Sequence, residues 1–348
     1  MELPEINTQE LIDFLTTLLN TPSPTGMTAQ AIDLCEQALQ DVPGIQLART
    51  RKGALVATLP GEVEGPWRAL TAHVDTLGAM VKEIKSNGRL KMSKLGGFPW
   101  NTVEGEGVTV HTASGKTVRG SILLTKASTH VHGQDVGKTE RNDDTMEVRL
   151  DARTDSEADT RSLGIEVGDF VVFDPRVEVT NGFVRSRHLD DKACVACMIQ
   201  AVKALSETGL TPKMTTVLHI SNYEEVGHGA AAGIPDEVSE LVAVDMAAVG
   251  NGQASDEFHA TLCVKDSGGP YHYGLNQKMR SLAEDHHIPH KIDIYPYYGS
   301  DGEAYWRAGG DVAVALIGPG VDASHNYERT HTEALAATTR WCLAYLLN

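Results

Sequence analysis

The hydrophobic pattern of this 348-residue chain changes character twice. Residues 8–20 and 30–39 carry apolar side chains at helical spacing, with Thr8 as the expected N-cap of the first helix, whereas 53–59 and 68–72 are short apolar runs typical of strands buried in a sheet. From about residue 79 the pattern becomes a series of short alternating runs separated by turn signals. The chain therefore begins as an α/β fold and then enters a segment that is predicted to be entirely β.

After residue 190 the alternation of helices and strands returns. Apolar strands are predicted at 215–220, 241–245 and 312–317, and an amphipathic helix at 332–346 closes the chain. The simplest interpretation is one discontinuous α/β domain, formed by residues 1–77 and 180–348, that is interrupted by a β domain at 78–179.

Charge and composition narrow the classes of partner. The chain has 30 Lys and Arg against 47 Asp and Glu, a formal net charge of −17, which disfavours nucleic acid and anionic membrane as partners. An acidic start, with no apolar run long enough for a secretory signal or a membrane span, predicts a cytoplasmic protein. The five cysteines (Cys35, Cys194, Cys197, Cys263 and Cys342) lie in apolar surroundings and are predicted to be reduced core thiols.

Chemistry-bearing side chains cluster at the ends of predicted strands or in the loops that follow them, where open α/β sheets bind ligands. These sites are His73 with Asp75, Asp190 with Asp191, Glu224 with Glu225, Asp245, and Glu328 with His331. Each of them is common in a structural role, since adjacent acids usually form solvated loops. However, Glu224 and Glu225 directly follow an apolar strand, so a cation is expected to compensate them at the sheet edge.

Two divalent metal ions would supply that compensation. Imidazole and carboxylate ligands without thiolate suit Zn²⁺ first, with Co²⁺ or Mn²⁺ as alternatives. In the arrangement considered, Asp190 bridges both ions, His73 and Asp245 complete one position, and Glu225 and His331 complete the other. Such a centre favours a metal-bridging hydroxide near neutral pH, and it leaves Glu224 free as the general base.

The same residues, in this order, resemble the TET-type family of dinuclear metalloaminopeptidases, whose members assemble as dodecamers and are often labelled cellulase M or endoglucanase M. The resemblance covers nearly the whole chain. It is carried by six stretches: TPSPTG at 21–26, AHVDTLG at 72–78, VGDFVVFD at 167–174, LDDK at 189–192, EEVG at 224–227 and GSDG at 299–302.

This resemblance implies a mixed-sheet α/β/α metallopeptidase domain interrupted by a small PDZ-like β-barrel that serves in dimerisation, with dimers assembling to a homo-oligomeric dodecamer. Carried onto this chain, it makes His73, Asp190, Glu225, Asp245 and His331 the metal ligands, Glu224 the base, and Asp75 the carboxylate partner of His73.

Two local features depart from the family pattern. The last ligand usually lies in an Arg-x-x-His-Ser-Pro context, whereas here His331 stands in Glu-Arg-Thr-His-Thr-Glu and His325 competes with it six residues earlier; we prefer His331. His228, in a Gly-His-Gly stretch, either contacts substrate or only fills space. A further pair, His130 and His132, lies in a polar loop where metal binding is the less favoured alternative.

The expected function is removal of the N-terminal amino acid from peptides with a free N-terminus. A dipeptidase, a carboxypeptidase or an N-acyl amino acid deacylase could use the same ligands. A glycosidase, which the endoglucanase label would suggest, needs paired acids but no metal, and it leaves His73 and His331 unexplained.

Overall fold

The structure is a computed structural model that describes residues 2–348. Within this range the α-helices are α1 Thr8–Leu19, α2 Ala29–Leu39, α3 Thr129–His132, α4 Asp135–Lys138, α5 Glu157–Ser162, α6 Leu189–Glu207, α7 Tyr273–Asp285, α8 Asp301–Arg307 and α9 Thr332–Leu347. Short 3₁₀ turns occupy Trp100–Thr102 and Glu224–Val226. None of the helices in residues 2–348 is both long and apolar enough to cross a membrane.

The strands in the same range are β1 Gln46–Arg49, β2 Leu55–Leu59, β3 Val63–His73, β4 Gly78–Ile84, β5 Leu90–Leu95, β6 Gly107–His111, β7 Thr117–Leu124, β8 Met146–Leu150, β9 Phe170–Phe173, β10 Glu178–Thr180, β11 Phe183–Ser186, β12 Met214–Ser221, β13 Val238–Val244, β14 Ala247–Ala248, β15 Ala260–Asp266, β16 Gly269–Pro270, β17 His290–Ile294, β18 Ala313–Val321 and β19 Glu328–His331.

The chain divides into two compact units. Within the described residues, one comprises 2–75 and 176–348, and the other comprises 76–175. The sequence places the insert at 78–179, and the compact unit begins and ends slightly earlier than that.

The larger unit is built on a mixed sheet with the order β1-β2-β12-β3-β13-β18-β15-β16, in which β14 also pairs with β18 and β17 with β15. The central strands β12, β3, β13 and β18 are parallel neighbours. At the two ends of this group, β2 pairs antiparallel to β12, and β15 pairs antiparallel to β18. A separate three-stranded sheet has the order β10-β11-β19.

Alternate side chains along the central strands enter two different cores. Leu70, Leu218 and Val242 belong to the cluster that contains α6 and α9 side chains, whereas their neighbours Ala69, Val217 and Leu241 belong to a cluster on the opposite face. Because successive strand residues point to opposite faces, a strand buried on both sides must be apolar throughout. The uninterrupted apolar runs of the sequence have this cause.

The smaller unit is a closed antiparallel barrel with the strand order β4-β5-β8-β7-β6-β9. Its interior is filled by the inward-facing members of each alternating run, among them Val81, Val108 and Val148. Phe98 meets Phe173 edge-on at a ring-centroid distance of 5.4 Å. The predicted fold class, a mixed-sheet α/β domain with a small β-barrel, is confirmed.

Two local predictions can be compared with the structure. The N-cap of α1 is Asn7, whose side chain accepts a hydrogen bond from the Glu10 amide, so the prediction of Thr8 as N-cap is wrong by one residue. All five cysteines are free and buried, as predicted. Cys194 and Cys197 are buried residues of α6. Burial raises the pKa of the Cys197 thiol to about 12, which keeps this thiol unreactive.

Candidate functional site

Most of the predicted site residues lie at the carboxyl ends of three neighbouring parallel strands, at one edge of the sheet. In the order β12, β3, β13, these strands end at Ser221, His73 and Val244. Glu224 and Glu225 follow β12 after a tight turn at Tyr223, and Asp245 directly follows β13. The carboxyl ends of parallel strands meet at one edge, so residues far apart in sequence become neighbours.

Asp190 reaches the same edge from the start of α6. The backbone of Asp190 and Asp191 is not helical, and the peptide bond between them is cis. One carboxylate oxygen of Asp190, Oδ1, lies 3.2 Å from His73 Nε2, and the other, Oδ2, lies 3.3 Å from His325 Nε2. A single buried carboxylate therefore faces two imidazoles, one near each of its oxygens.

The potential ligand atoms fall into two sets that share Asp190. Ligand atoms of His73, Asp190 and Asp245 lie within 4.8 Å of one another, and so do those of Asp190, Glu225 and His325. We name these the His73 group and the His325 group. Two adjacent three-residue groups with a common carboxylate are the arrangement that a pair of bridged ions requires.

The structure places His325, not His331, beside the acids. His325 Nε2 is 3.6 Å from Glu225 Oε2, whereas the ring of His331 packs between Phe183 and Phe258, at centroid distances of 4.8 and 5.1 Å. His331 Nδ1 also accepts the Glu333 amide as the N-cap of α9. The sequence-based preference for His331 is corrected here, because β19 commits that residue to helix capping and aromatic packing.

His73 is oriented by the backbone of Asp75 rather than by its carboxylate. His73 Nδ1 lies 2.9 Å from the Asp75 carbonyl oxygen but 3.6 Å from the nearest carboxylate oxygen. A carbonyl oxygen can only accept a hydrogen bond, so Nδ1 must donate. The geometry thus directs Nε2 toward Asp190, as a metal-ligating histidine requires.

The Asp75 carboxylate has a different role, which no pattern in the sequence indicates. Its oxygens accept the backbone amides of Glu224 at 3.1 Å and of Glu225 at 3.3 Å. Thr25 of the TPSPTG stretch donates its hydroxyl to the same carboxylate at 2.7 Å, and Ser23 donates to the Val74 carbonyl at 2.7 Å. Asp75 therefore fixes the segment that carries both glutamates, and the TPSPTG stretch fixes Asp75.

Asp301 of the GSDG stretch holds the far end of the Glu224 loop. Its carboxylate accepts the Ala230 amide at 2.7 Å and the hydroxyl of Ser221, and it is buried. From the other side, Lys52 donates its ammonium to the carbonyl oxygens of His228 and Gly229. Sequence reasoning missed Lys52, because a single lysine in a turn carries no recognisable pattern.

The electrostatics of the site are dominated by buried acids. Burial, reinforced by the Asp190 carboxylate, raises the pKa of Glu225 to about 8 and that of Asp245 to about 7. For Asp190 itself, burial works in the opposite direction to the hydrogen bonds from His325 and His73, which outweigh it and lower the pKa. Burial also raises the pKa of Glu224 well above its ordinary value.

This donor set fits divalent cations. Each group offers one imidazole nitrogen and two carboxylates with no thiolate, which suits Zn²⁺, Co²⁺ or Mn²⁺. Burying several carboxylates beside only two imidazoles is unfavourable unless further positive charge compensates them. Two cations would supply it.

Close packing behind Asp245 gives a testable constraint on the site. A Cβ added at Gly318 would lie 1.8 Å from the Asp245 carbonyl oxygen, which is fixed backbone. We therefore expect Gly318→Ala to displace Asp245 and to lower the free energy of unfolding by about 1–3 kcal/mol, measured by chemical denaturation. Gly250→Ala, where a Cβ meets nothing within 4 Å, is the matched control. Equal stability of the two variants would contradict this expectation.

The remaining histidine predictions concern residues outside the two groups. His228 is exposed and stacks on Tyr223 with a centroid distance of 5.3 Å, and its contact with substrate stays a prediction. His130 and His132 are exposed on the short helix α3, and neither belongs to a metal-competent group found among residues 2–348.

The chain is similar in sequence to known proteins. The sequence model of the family described as M42 glutamyl aminopeptidase matches residues 53–341. "Putative aminopeptidase YhfE" of Bacillus subtilis (strain 168) is 49% identical over 339 residues, which cover 97% of each chain.

The solved structures that share the fold include two TET peptidases. A TET aminopeptidase from the marine sediment archaeon Thaumarchaeota archaeon SCGC AB-539-E09 superposes with a TM-score of 0.87 at 18% identity, covering 98% of this chain and 96% of that one. The TET1 peptidase of Pyrococcus horikoshii, described as assembling into a tetrahedron or a large octahedral shell, gives a TM-score of 0.84 at 23% identity, covering 97% and 99%. The resemblance noted in the sequence is confirmed.

Proposed function

Because the chain belongs to the M42 glutamyl aminopeptidase family, we propose that it is a dinuclear metal-dependent aminopeptidase that releases the N-terminal amino acid of peptides. The observation that carries this proposal is Asp190, which is shared between the His73 group and the His325 group and lies beside Glu224, a member of neither group. A glutamate next to two bridged cation positions is suited to metal-assisted hydrolysis.

In this proposal, His73, Asp190 and Asp245 hold one divalent ion, and Asp190, Glu225 and His325 hold the other. The ions, when bound, supply Lewis-acid polarisation of the scissile carbonyl and make water easier to ionise. The remaining roles, which are proton transfer and the positioning of the site residues, belong to side chains of the protein.

Glu224 is the proposed general base. Its Oε2 lies 3.5 Å from His73 Nε2, so its carboxylate borders the His73 group without being one of its three members. From there it takes a proton from the attacking water and delivers it to the leaving amine.

Asp75 contributes by position. It aligns His73 through its carbonyl oxygen and holds the Glu224 and Glu225 amides through its carboxylate. One residue thus fixes a ligand and the base relative to each other, which is the pre-organisation that catalysis requires.

Metal removal is the direct test of the proposal. Dialysis against a chelator is expected to abolish hydrolysis of aminoacyl chromogenic amides, and reloading with Zn²⁺, Co²⁺ or Mn²⁺ to restore it as the metal content approaches two ions per chain. Elemental analysis of the same samples gives the stoichiometry. Undiminished activity in fully metal-depleted protein would refute a metallopeptidase.

Peptides with free and acetylated N-termini separate an aminopeptidase from hydrolases that could share the same ligands. We expect cleavage of the free-amine peptide and none of its acetylated form. Preferential cleavage of the acetylated substrate would point to a deacylase, and release of the C-terminal residue to a carboxypeptidase.

We also propose that the protein is a homo-oligomer in which the barrel unit, residues 76–175, serves in dimerisation. The reported assembly of the similar TET1 peptidase supports a homo-oligomer. The role of the barrel in dimerisation rests on the family resemblance. Light scattering on the full chain measures the mass directly against the 37.5 kDa subunit.

A further inference from the structure

A buried glutamate outside the two ligand groups connects them to the turn that carries His325. Glu328, at the start of β19, is 1% exposed. Its Oε2 accepts the backbone amide of Asp190 at 3.1 Å, and its Oε1 accepts the backbone amide of His325 at 3.0 Å. Each oxygen of the Glu328 carboxylate thus holds a different segment of the chain. The two amide donors, Asp190 and His325, are 135 residues apart in the sequence.

The turn that carries His325 needs such support. Ala323 and His325 both have left-handed backbones, with φ values of 57° and 60°. This conformation is unfavourable for residues with a Cβ and persists only where the surroundings hold it. Within this turn the His325 amide donates a hydrogen bond to the buried carboxyl group of Glu328.

Glu328 acts on the two groups unequally. Of the three members of the His325 group it holds two, Asp190 and His325, whereas of the His73 group it holds only the shared Asp190. His73 is aligned by the Asp75 carbonyl, and the Asp245 amide donates to the Ile317 carbonyl at 2.9 Å. Removing one oxygen of Glu328 should therefore disturb the His325 group far more than the His73 group.

We propose that Glu328 is a positioning residue that sets the geometry of the His325 group, and through it the affinity for one of the two metal ions. This inference rests on the proposed dinuclear function. Glu328 is not itself a ligand, because each of its oxygens already accepts a backbone amide and it belongs to neither ligand group.

The test is metal binding to Glu328→Gln. Glutamine keeps one acceptor oxygen but turns an N–H donor toward a backbone N–H, so one of the two hydrogen bonds is lost. We expect one of the two sequential Zn²⁺ affinities, measured by calorimetry on metal-depleted protein, to fall about 10–100-fold while the other falls much less. Activity should fall at limiting Zn²⁺ and recover as Zn²⁺ is raised, which a merely misfolded variant would not do.

Glu333→Gln is the matched control, because the same substitution is made on a side chain that is 68% exposed. It should bind both ions as the wild type does. Two unchanged affinities in Glu328→Gln, or an equal loss of both, would overturn the proposal. A wild type that binds no ion would instead refute the dinuclear function itself, so the two failures are distinguishable.

A second measurement covers the case in which Glu328→Gln does not fold. Hydrogen exchange on metal-depleted wild-type protein should show the amides of Asp190 and His325 protected, because both donate to a buried carboxylate. Exchange of these amides at the rate of an exposed loop would overturn the proposal without any variant.

Discussion

Glu224→Gln is expected to lower kcat by about 10²–10⁴-fold while both metal ions stay bound. Glutamine has the size and shape of glutamate but cannot accept and return a proton. The backbone of residue 224 should keep its place, because Asp75 holds its amide whatever the side chain. The loss should therefore appear in kcat and not in metal content.

Two variants control this experiment. Glu225→Gln, next in sequence, removes a proposed ligand and should lower metal content as well as activity. Glu237→Gln changes an exposed glutamate ahead of β13 and should leave both unchanged. Retention of full activity by a doubly metallated Glu224→Gln enzyme would remove Glu224 from the mechanism.

His325→Ala is expected to eliminate binding of one ion and most of the activity. The His325 group has only three protein ligands, and loss of one should exceed the roughly 10–100-fold cost of losing an outer hydrogen-bond partner. The His73 group does not include His325, so one ion per chain should remain. Elemental analysis and kcat/KM on one aminoacyl amide measure the two effects.

His331→Ala is the natural comparison, because the sequence favours it as the ligand and the structure does not. We expect two ions and near-normal kcat, with a free energy of unfolding lower by about 1–2 kcal/mol through loss of the α9 cap and the contacts with Phe183 and Phe258. The opposite outcome, in which His331→Ala loses an ion and His325→Ala keeps both, would restore the sequence-based assignment.

Much of the architecture could be predicted because it follows from local patterns of apolar and polar residues. Strands buried on both faces must be continuously apolar, as around Leu70 and Val242, whereas the barrel strands with one face inward must alternate, as around Val108. The change between these patterns marks the insert. The N-cap of α1 was missed by one residue, because Asn7 and Thr8 are both good caps and only the backbone chooses between them.

The candidate site was predictable to the extent that its residues follow buried strands. His73, Glu224, Glu225 and Asp245 all extend from the ends of central strands, where the sheet itself brings them together. Asp190 could be named from its acidic pair and the family resemblance. Its place between two imidazoles could not, because it depends on the non-helical start of α6.

The sequence by itself therefore determined the α/β body, the β insert and the kinds of side chain that gather at the edge of the sheet. Only the tertiary structure decided which histidine completes the His325 group and which buried carboxylates, Asp75 and Glu328, hold the site in place. The reason is that these choices depend on hydrogen bonds between segments far apart in the chain, and on the left-handed turn at His325, neither of which leaves a periodic signal in the sequence.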